Sequence, residues 1–506
     1  MLKLPDLAPI LARLPPHFVA GLRYGTIALS GLAGVLLVSL SIFIQASGMS
    51  SSANAILGKY IPIIGFVALV AGLSALLVTY YRGVARTEKA EKAQQAALAR
   101  ERAMEPRQRI LNGAGDRFAL EIRGLSMFIN EGFSQDEIWK PFTSVKPMQS
   151  ILSQRIGDYA QSADERSSDY SIASRVAAKN VALDAMHLWP VPGFAAQPPS
   201  HPSAQESAGE YYSNLFRRAS LVYSFGIWVD DINGEDASPL VDKLFAFFDA
   251  HPEVPQAIIM TKDGDIVREY MQGSSARRIE GPHKPDKPLS IVTLLVSRTD
   301  RVDRFIRPYA IHEDTIARTP QQTQYDYIKL YNFYWKEDHR YGEGRHSRYS
   351  STTMSASHWA SILPQFLTTI DDKGVPGFQR TDFLPLRWTN WQVDLFDNPP
   401  IMGYLHRPVT VRLRDQDDKP LTGEAQVAAL REGWTRAVGT LPIDDVPSRL
   451  FRDTRHDAGA TKVLGPILKE QPTPLALDDM DQDFDIGTRI GDTGIASPFV
   501  QIALAT

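Results

Sequence analysis

Hydrophobic and polar positions divide this chain into two regimes. In the first, two uncharged apolar segments, residues 24–44 and 60–81, flank a short polar loop, 45–59. At about 1.5 Å per residue each segment reaches across the roughly 30 Å hydrocarbon core of a bilayer, so the pattern predicts a transmembrane hairpin and a membrane anchor over 1–81. Residues 82–109, rich in Ala, Glu, Lys, Gln and Arg, read as a juxtamembrane helix and linker ended by Pro106. From Phe118 onward the period changes, and short apolar runs alternate with amphipathic helical stretches, which is an α/β pattern.

Within that second regime the elements come in a clear order. Residues 118–129 (FALEIRGLSMFI) predict a strand, Ser134 with Glu137 a capping box, and 151–164 a helix. Five prolines in 187–209 mark a loop and the clearest internal linker. Residues 221–229 predict a strand. Ser238 then predicts an N-cap with Pro239 behind it, and Leu240, Val241, Leu244, Phe245 and Phe248 line one helical face. Residues 256–261 return as a parallel strand and 289–297 add another. Residues 409–413 predict a strand, Thr422 caps a helix through Ala437, and the chain closes on a final apolar strand. The expected division is an N-terminal α/β domain over 110–300 and a C-terminal one over 301–506.

Charge gives the anchor a direction. Lys3, Arg13 and Arg23 precede the first apolar segment and a basic run from Arg82 lies beyond the second, while the loop between them offers only Lys59. The positive-inside bias therefore predicts a two-pass protein with both termini and the soluble part on the cytoplasmic side. The net charge of −4 gives no electrostatic case for nucleic acid. The chain has no cysteine, which removes disulfides, thiolate nucleophiles and thiolate metal sites together.

Candidate chemistry is sparse. Asp479, Asp481, Asp483 and Asp485 alternate like the start of a calcium loop, but Phe484 or Ile486 stands where the loop needs glycine. Asp492-Thr493-Gly494 resembles the catalytic tripeptide of aspartic proteases, yet no second copy exists to share its proton, and a turn is the plainer reading. No H-E-x-x-H, P-loop, G-x-S-x-G or complete G-x-G-x-x-G occurs. No catalytic, cofactor or metal residue is assigned. Residues 325–349 are different, with tyrosines and a tryptophan set among charges, the composition that interfaces favour. The candidate partner-binding residues are Tyr325, Tyr327, Tyr331, Tyr334, Trp335, Arg340, Tyr341, Arg345 and Tyr349, joined by Trp388 and Trp391.

Two resemblances add to this reading. The strand, glycine and capped helix over 118–142 resemble the opening of ketoacyl-synthase (thiolase-like) folds, and without cysteine the usual nucleophile of such a fold would be absent. The stretches FALEIRGL (118–125), GYLHRPVTVRL (403–413), RLFRDT (449–454) and IGDTGIASPFVQIALAT (490–506) are similar to the type VI lipase adaptor family. That resemblance implies a non-enzymatic accessory protein of the bacterial type VI secretion system. It would bind a phospholipase effector in the cytoplasm and load it on a VgrG spike; the expected inner-membrane anchor at 24–81 lies outside the resemblance and rests on hydropathy and charge alone. The other readings left open are a membrane-bound enzyme acting on a lipid-linked substrate and a structural scaffold of an envelope complex.

Overall fold

The computed structural model describes residues 118–130, 135–144, 149–182, 189–201, 225–273, 278–311, 323–343, 354–372, 374–442, 445–453, 455, 458–470, 475–477 and 479–506. Contacts divide the chain after Arg107 into two units, and the described residues all belong to the second. Its centre is a six-stranded mixed sheet in the order β3-β2-β4-β5-β1-β6. The strands are β1 (Ala119–Ile129), β2 (Val191–Gln197), β3 (Gly226–Asn233), β4 (Gln256–Asp263), β5 (Ser290–Ser297) and β6 (Gly403–His406). β3, β2 and β4 run parallel, while β5 and β1 continue the sheet antiparallel and β6 pairs antiparallel with β1. A short parallel pair, β7 (Leu450–Arg452) and β8 (Asp483–Asp485), lies apart from it.

Burial on both faces explains the texture of the central strands. Every residue of β4 and β5 is buried, which is why IIM and IVTLLV read as unbroken apolar runs rather than alternations. One face is covered by α1 (Gln135–Ser144), α3 (Ser238–Ala250), α5 (Thr323–Glu343), α6 (Ala356–Leu367) and α10 (Ser497–Ala505). The other is covered by α2 (Ala163–Ala182), α4 (Asp265–Met271) and α7 (Asn390–Asp397). Two further helices, α8 (Gly423–Gly439) and α9 (Ala458–Lys469), pack on each other. α2 lies close on β1 because Gly124 leaves room, since a Cβ there would sit 3.0 Å from both Val181 Cγ1 and Leu295 Cβ.

Several sequence expectations hold. β1, β4 and β5 fall where the apolar runs place them, and all five predicted face residues of α3 are buried. Its cap shifts by one position: the Asp236 carboxylate accepts from the Ser238 N–H at 2.8 Å, and Ser238 is the first helical residue.

Others are overturned. Part of the proline-rich stretch expected as a linker is β2, buried throughout and central in the sheet. Pro192 fits because the ladder with β4 begins only at Gly193, and the ladder with β3 breaks register immediately after it. Residues 151–164 are not a helix; a short 3-10 turn, Ile156–Tyr159, precedes α2. Among the described residues, 409–413 find no partner strand, and β6 forms earlier, where β1 offers an edge. The chain ends in a helix, α10, not a strand. β6, from beyond residue 300, joins the sheet built from the residues before it.

The two-pass inner-membrane placement is not supported. Among the described residues no helix is long and apolar enough to cross a membrane. The apolar segments 24–44 and 60–81, the linker 82–109 and the Ser134 cap lie outside the described residues.

One buried carboxylate ties the sheet to the C-terminal segment. Asp263, fully buried at the end of β4, accepts from the Gly264 N–H (2.7 Å), from Arg268 through Nε and Nη2 (2.8 Å each) and from the Ile495 N–H (2.8 Å). Burial alone would favour neutral Arg268, but its bonds to Glu235 and Asp263 carry it above the ordinary arginine range. The close approach requires glycine at 494, where φ is +56° and a Cβ would stand 1.8 Å from Asp263 Oδ2. Asp263→Ala, which strands these donors, should cost about 3–5 kcal/mol in urea unfolding monitored by tryptophan fluorescence. Gly494→Ala should cost more than about 2 kcal/mol; unchanged midpoints in both variants would remove this tie from its structural role.

Candidate functional site

Tyr327, Tyr331 and Tyr334, spaced i, i+4 and i+7, share one face of α5. Leu330 and Tyr334 are buried against the sheet, and the Tyr334 hydroxyl donates to the Gly226 carbonyl at 2.7 Å. Phe225 gathers the rings of Tyr327, Tyr331 and Tyr334 edge-on at centroid distances of 6.0, 5.6 and 5.2 Å. Next to Tyr327 along the helix, Ile328 stands 52% exposed. Burial, with Tyr331 adding to it, pushes the Tyr327 hydroxyl up, so this ring is neutral over the physiological range.

Facing Tyr327 across a groove are residues 385–392. Trp388, only 3% exposed, stacks on Trp189 with centroids 3.9 Å apart, while Trp391 meets Tyr327 edge-on at 6.2 Å. Trp189, Pro190, Tyr327, Ile328, Leu330, Pro385, Leu386, Arg387, Trp388, Thr389, Trp391 and Gln392 enclose about 360 Å³. α7 starts beside it through a capping box in which Thr389 and Gln392 satisfy each other.

A polar relay holds the two walls together. Asp326 on α5 is fully buried and accepts from the N–H groups of Asp371 (2.9 Å) and Asp372 (2.7 Å). The Asp372 carboxylate in turn takes Arg387 as a fork, Nε at 2.8 Å and Nη2 at 3.0 Å. Burial works to raise the Asp372 carboxyl, but Arg387 and the Gly374 N–H outweigh it and hold the group below the usual carboxylate range. The groove is thus an apolar, aromatic surface set on rigid elements and rimmed by one bound arginine.

Of the residues singled out from sequence, the structure brings Tyr327, Trp388 and Trp391 together here. Tyr331 and Tyr334 belong to the packing around Phe225, and Trp335 is half-buried beside them. Arg340 is exposed and bonds Glu337 at 2.8 Å, and Tyr341 lies on the His358 ring, centroids 4.6 Å apart. The Tyr325 side chain, Arg345 and Tyr349 lie outside the described residues. Trp189, Pro190, Ile328 and Arg387 complete the groove and carry no sequence signal that singles them out as a group. Trp189 sits in the stretch read as linker, and only the sheet places it; the periodicity of α5 could have exposed Ile328 as an apolar residue one step from Tyr327.

The other motifs resolve into structure. Asp483 receives the Arg452 fork at 2.6 and 2.7 Å, and Asp479 accepts from the Asp481 N–H at 2.9 Å, so the acidic run closes a turn into β8. Among the described residues no group of three or more metal-ligating side chains occurs. Asp492 pairs with Lys287 and accepts from the Gly494 N–H at 2.9 Å, a turn as expected.

Comparison with known proteins gives two kinds of match. Among solved structures, the ketosynthase of module 6 of the bacillaene synthase of Bacillus subtilis 168 is 9% identical with a TM-score of 0.36, over 76% of this chain and 58% of that one. OleA of Xanthomonas campestris is 11% identical with a TM-score of 0.29, over 78% of this chain and 90% of that one. The chain therefore spans less than two thirds of that ketosynthase, and similarity this loose places no residue. Family models are more specific: type VI lipase adapter protein Tla3, N-terminal, matches residues 118–280 and its C-terminal counterpart matches residues 402–506. These two segments carry β1 to β4 and β6 to β8 with the Asp263–Ile495 tie between them, and the chain belongs to the type VI lipase adapter protein Tla3 family.

Proposed function

We propose that this chain is a non-enzymatic adaptor that holds a phospholipase effector of the type VI secretion system and hands it to a VgrG spike. The observation that carries the reading is the pair of family models matched at both ends of the folded unit. The aromatic groove between α5 and residues 385–392 is the proposed effector contact. Its partly exposed Tyr327 and Trp391, set with exposed Ile328 over the buried Trp189–Trp388 stack, offer aromatic and apolar contacts with few rotatable bonds, the composition that concentrates binding energy in a few anchors. Arg387, fixed by Asp372, supplies a polar rim.

The tagged full-length chain should co-purify with a type VI lipase, and a strain deleted for it should stop secreting that lipase. Normal secretion without co-purification would sink the adaptor reading. At the groove, Trp391→Ala combined with Ile328→Glu should weaken lipase capture by more than about tenfold, the loss expected of a central anchor. Both side chains are at least partly exposed, so the unfolding midpoint should move little. Unchanged capture would move the contact elsewhere.

The Asp372–Arg387 fork gives a pH signature. A carboxyl depressed on folding contributes stability above its unfolded pKa, and that contribution is lost as pH falls through the folded value. Lipase capture and the unfolding midpoint should accordingly hold from neutral pH down to the ordinary carboxylate range and decline below it. Asp372→Asn should flatten that acid limb in titrations of either quantity.

A further inference from the structure

A second concavity, far more polar than the aromatic groove, opens where the segment before α2 meets the C-terminal part. Residues 149–154 and Tyr159 form one wall, 284–286 with Pro288 a second, and Arg455 with Thr488, Ile490 and Gly491 a third, around about 950 Å³. Its walls are tied to one another. The Ile151 N–H donates to the Arg489 carbonyl at 2.8 Å, and the Tyr159 hydroxyl to the Ser153 carbonyl at 2.8 Å. Arg489 is itself held by the Phe142 carbonyl at 2.7 Å, and Lys287 is paired with Asp492.

Arg455 is the unusual member. Its stem lies on Gly487, where a Cβ would meet its Cγ at 2.9 Å, and its Nε donates to the Gly487 carbonyl at 2.9 Å. The guanidinium is thereby pinned, and among the described residues neither terminal nitrogen has a partner. On the opposite wall the Lys284 ammonium donates to a neutral acceptor, Gln154 Oε1, at 2.7 Å, so its charge is not neutralised there. Asp286 is the one carboxylate among the lining residues. Among the described lining residues two cations on separate walls stand against one anion, within a chain whose net charge is −4.

We infer that this cleft docks an acidic peptide segment of a protein partner, with Arg455 taking one carboxylate through its free fork and Lys284 a second further along. A planar fork with two free donors suits a carboxylate, and its fixed stem leaves little ordering cost on binding. The volume exceeds what a single phosphate fills, and separated cations match the spaced carboxylates of an extended segment. Asp286, on the same wall as Lys284, disfavours a compact dianion there. The partner's being a protein rests on the adaptor reading; the charge argument does not.

The test uses the full-length chain and two probes. By fluorescence anisotropy, a labelled peptide alternating Glu and Gly should bind with an affinity that falls as salt rises, and the matching Gln and Gly peptide should not bind. Arg455→Gln and Lys284→Gln should each weaken the Glu peptide about tenfold, and Arg455→Lys should restore only part of it. Equal binding of both peptides, insensitivity to both substitutions, or binding of inorganic phosphate with neither peptide overturns the inference. Capture of the lipase separates the two proposals. If the wild-type chain captures lipase and the double variant captures it equally with the same salt dependence, the cleft is not the docking surface and the adaptor reading stands. If the wild type captures no lipase yet binds the Glu peptide, the adaptor reading fails and the cleft keeps its chemistry.

Discussion

The fold turns on a charge that has nowhere to go. Asp263 ends β4 in the middle of the sheet with no exposure to solvent, and its two oxygens are met by the Gly264 and Ile495 N–H groups and by the Arg268 fork. An ionised carboxylate in such a place is tolerated only while its donors are present. One of them comes from 232 positions further along the chain. The N-terminal family segment therefore depends on the C-terminal one: without residues 494–505 the end of β4 loses a donor and the sheet loses the cover of α10. The dependence is mutual, since β6 has β1 as its ladder partner.

The same logic of buried charge runs through the molecule and fixes its surfaces. Asp326 closes the turn at 371–372, and Asp372 then clamps Arg387, so the position of the groove wall descends from a carboxylate inside the helix layer. Arg301, buried beside β5, donates to three carbonyls around the end of α3 and has its pKa lowered to about 10, first by burial and then by Arg298. Glu121 and Arg123, neighbours on β1, bond each other at 3.0 Å, and Arg123 reaches the Phe396 carbonyl at 2.9 Å. That contact fastens α7, and with it one side of the groove, to the sheet.

These long-range ties explain what the sequence could and could not disclose. The strands β1, β4 and β5 and the apolar face of α3 announce themselves because burial on a sheet leaves local runs and periods. β2 does not, because VPGFAAQ carries two turn formers and two alanines, and what makes it a strand is the pair of neighbours waiting on either side. Residues 409–413 show the converse, a convincing alternation with no edge to join. The aromatic texture of α5 is visible in the sequence but ambiguous. Tyr327, Tyr331 and Tyr334 all meet Phe225, and of the three only Tyr327 also lines the groove, so one helical face serves both core and groove. Trp189 and Arg387 become site residues only through partners in space, Trp388 and Asp372.

A carrier that passes cargo to a second protein needs attachments that can be made and released separately, and the two concavities differ in the property that matters for this. The groove is largely apolar, so the contact proposed there would respond weakly to salt and to rim charge. The cleft proposed for an acidic segment presents Arg455 and Lys284 at a solvated surface, where affinity and encounter rate would depend on ionic strength and the charge of the incoming segment. Occupying one leaves the other's determinants untouched, since the groove is built by α5, α7 and the 385–392 segment, and the cleft by loops at 149–159, 284–288 and 488–491. On the proposed function, two chemically different contacts on one sheet would make a simpler handover device than a single surface that changes shape.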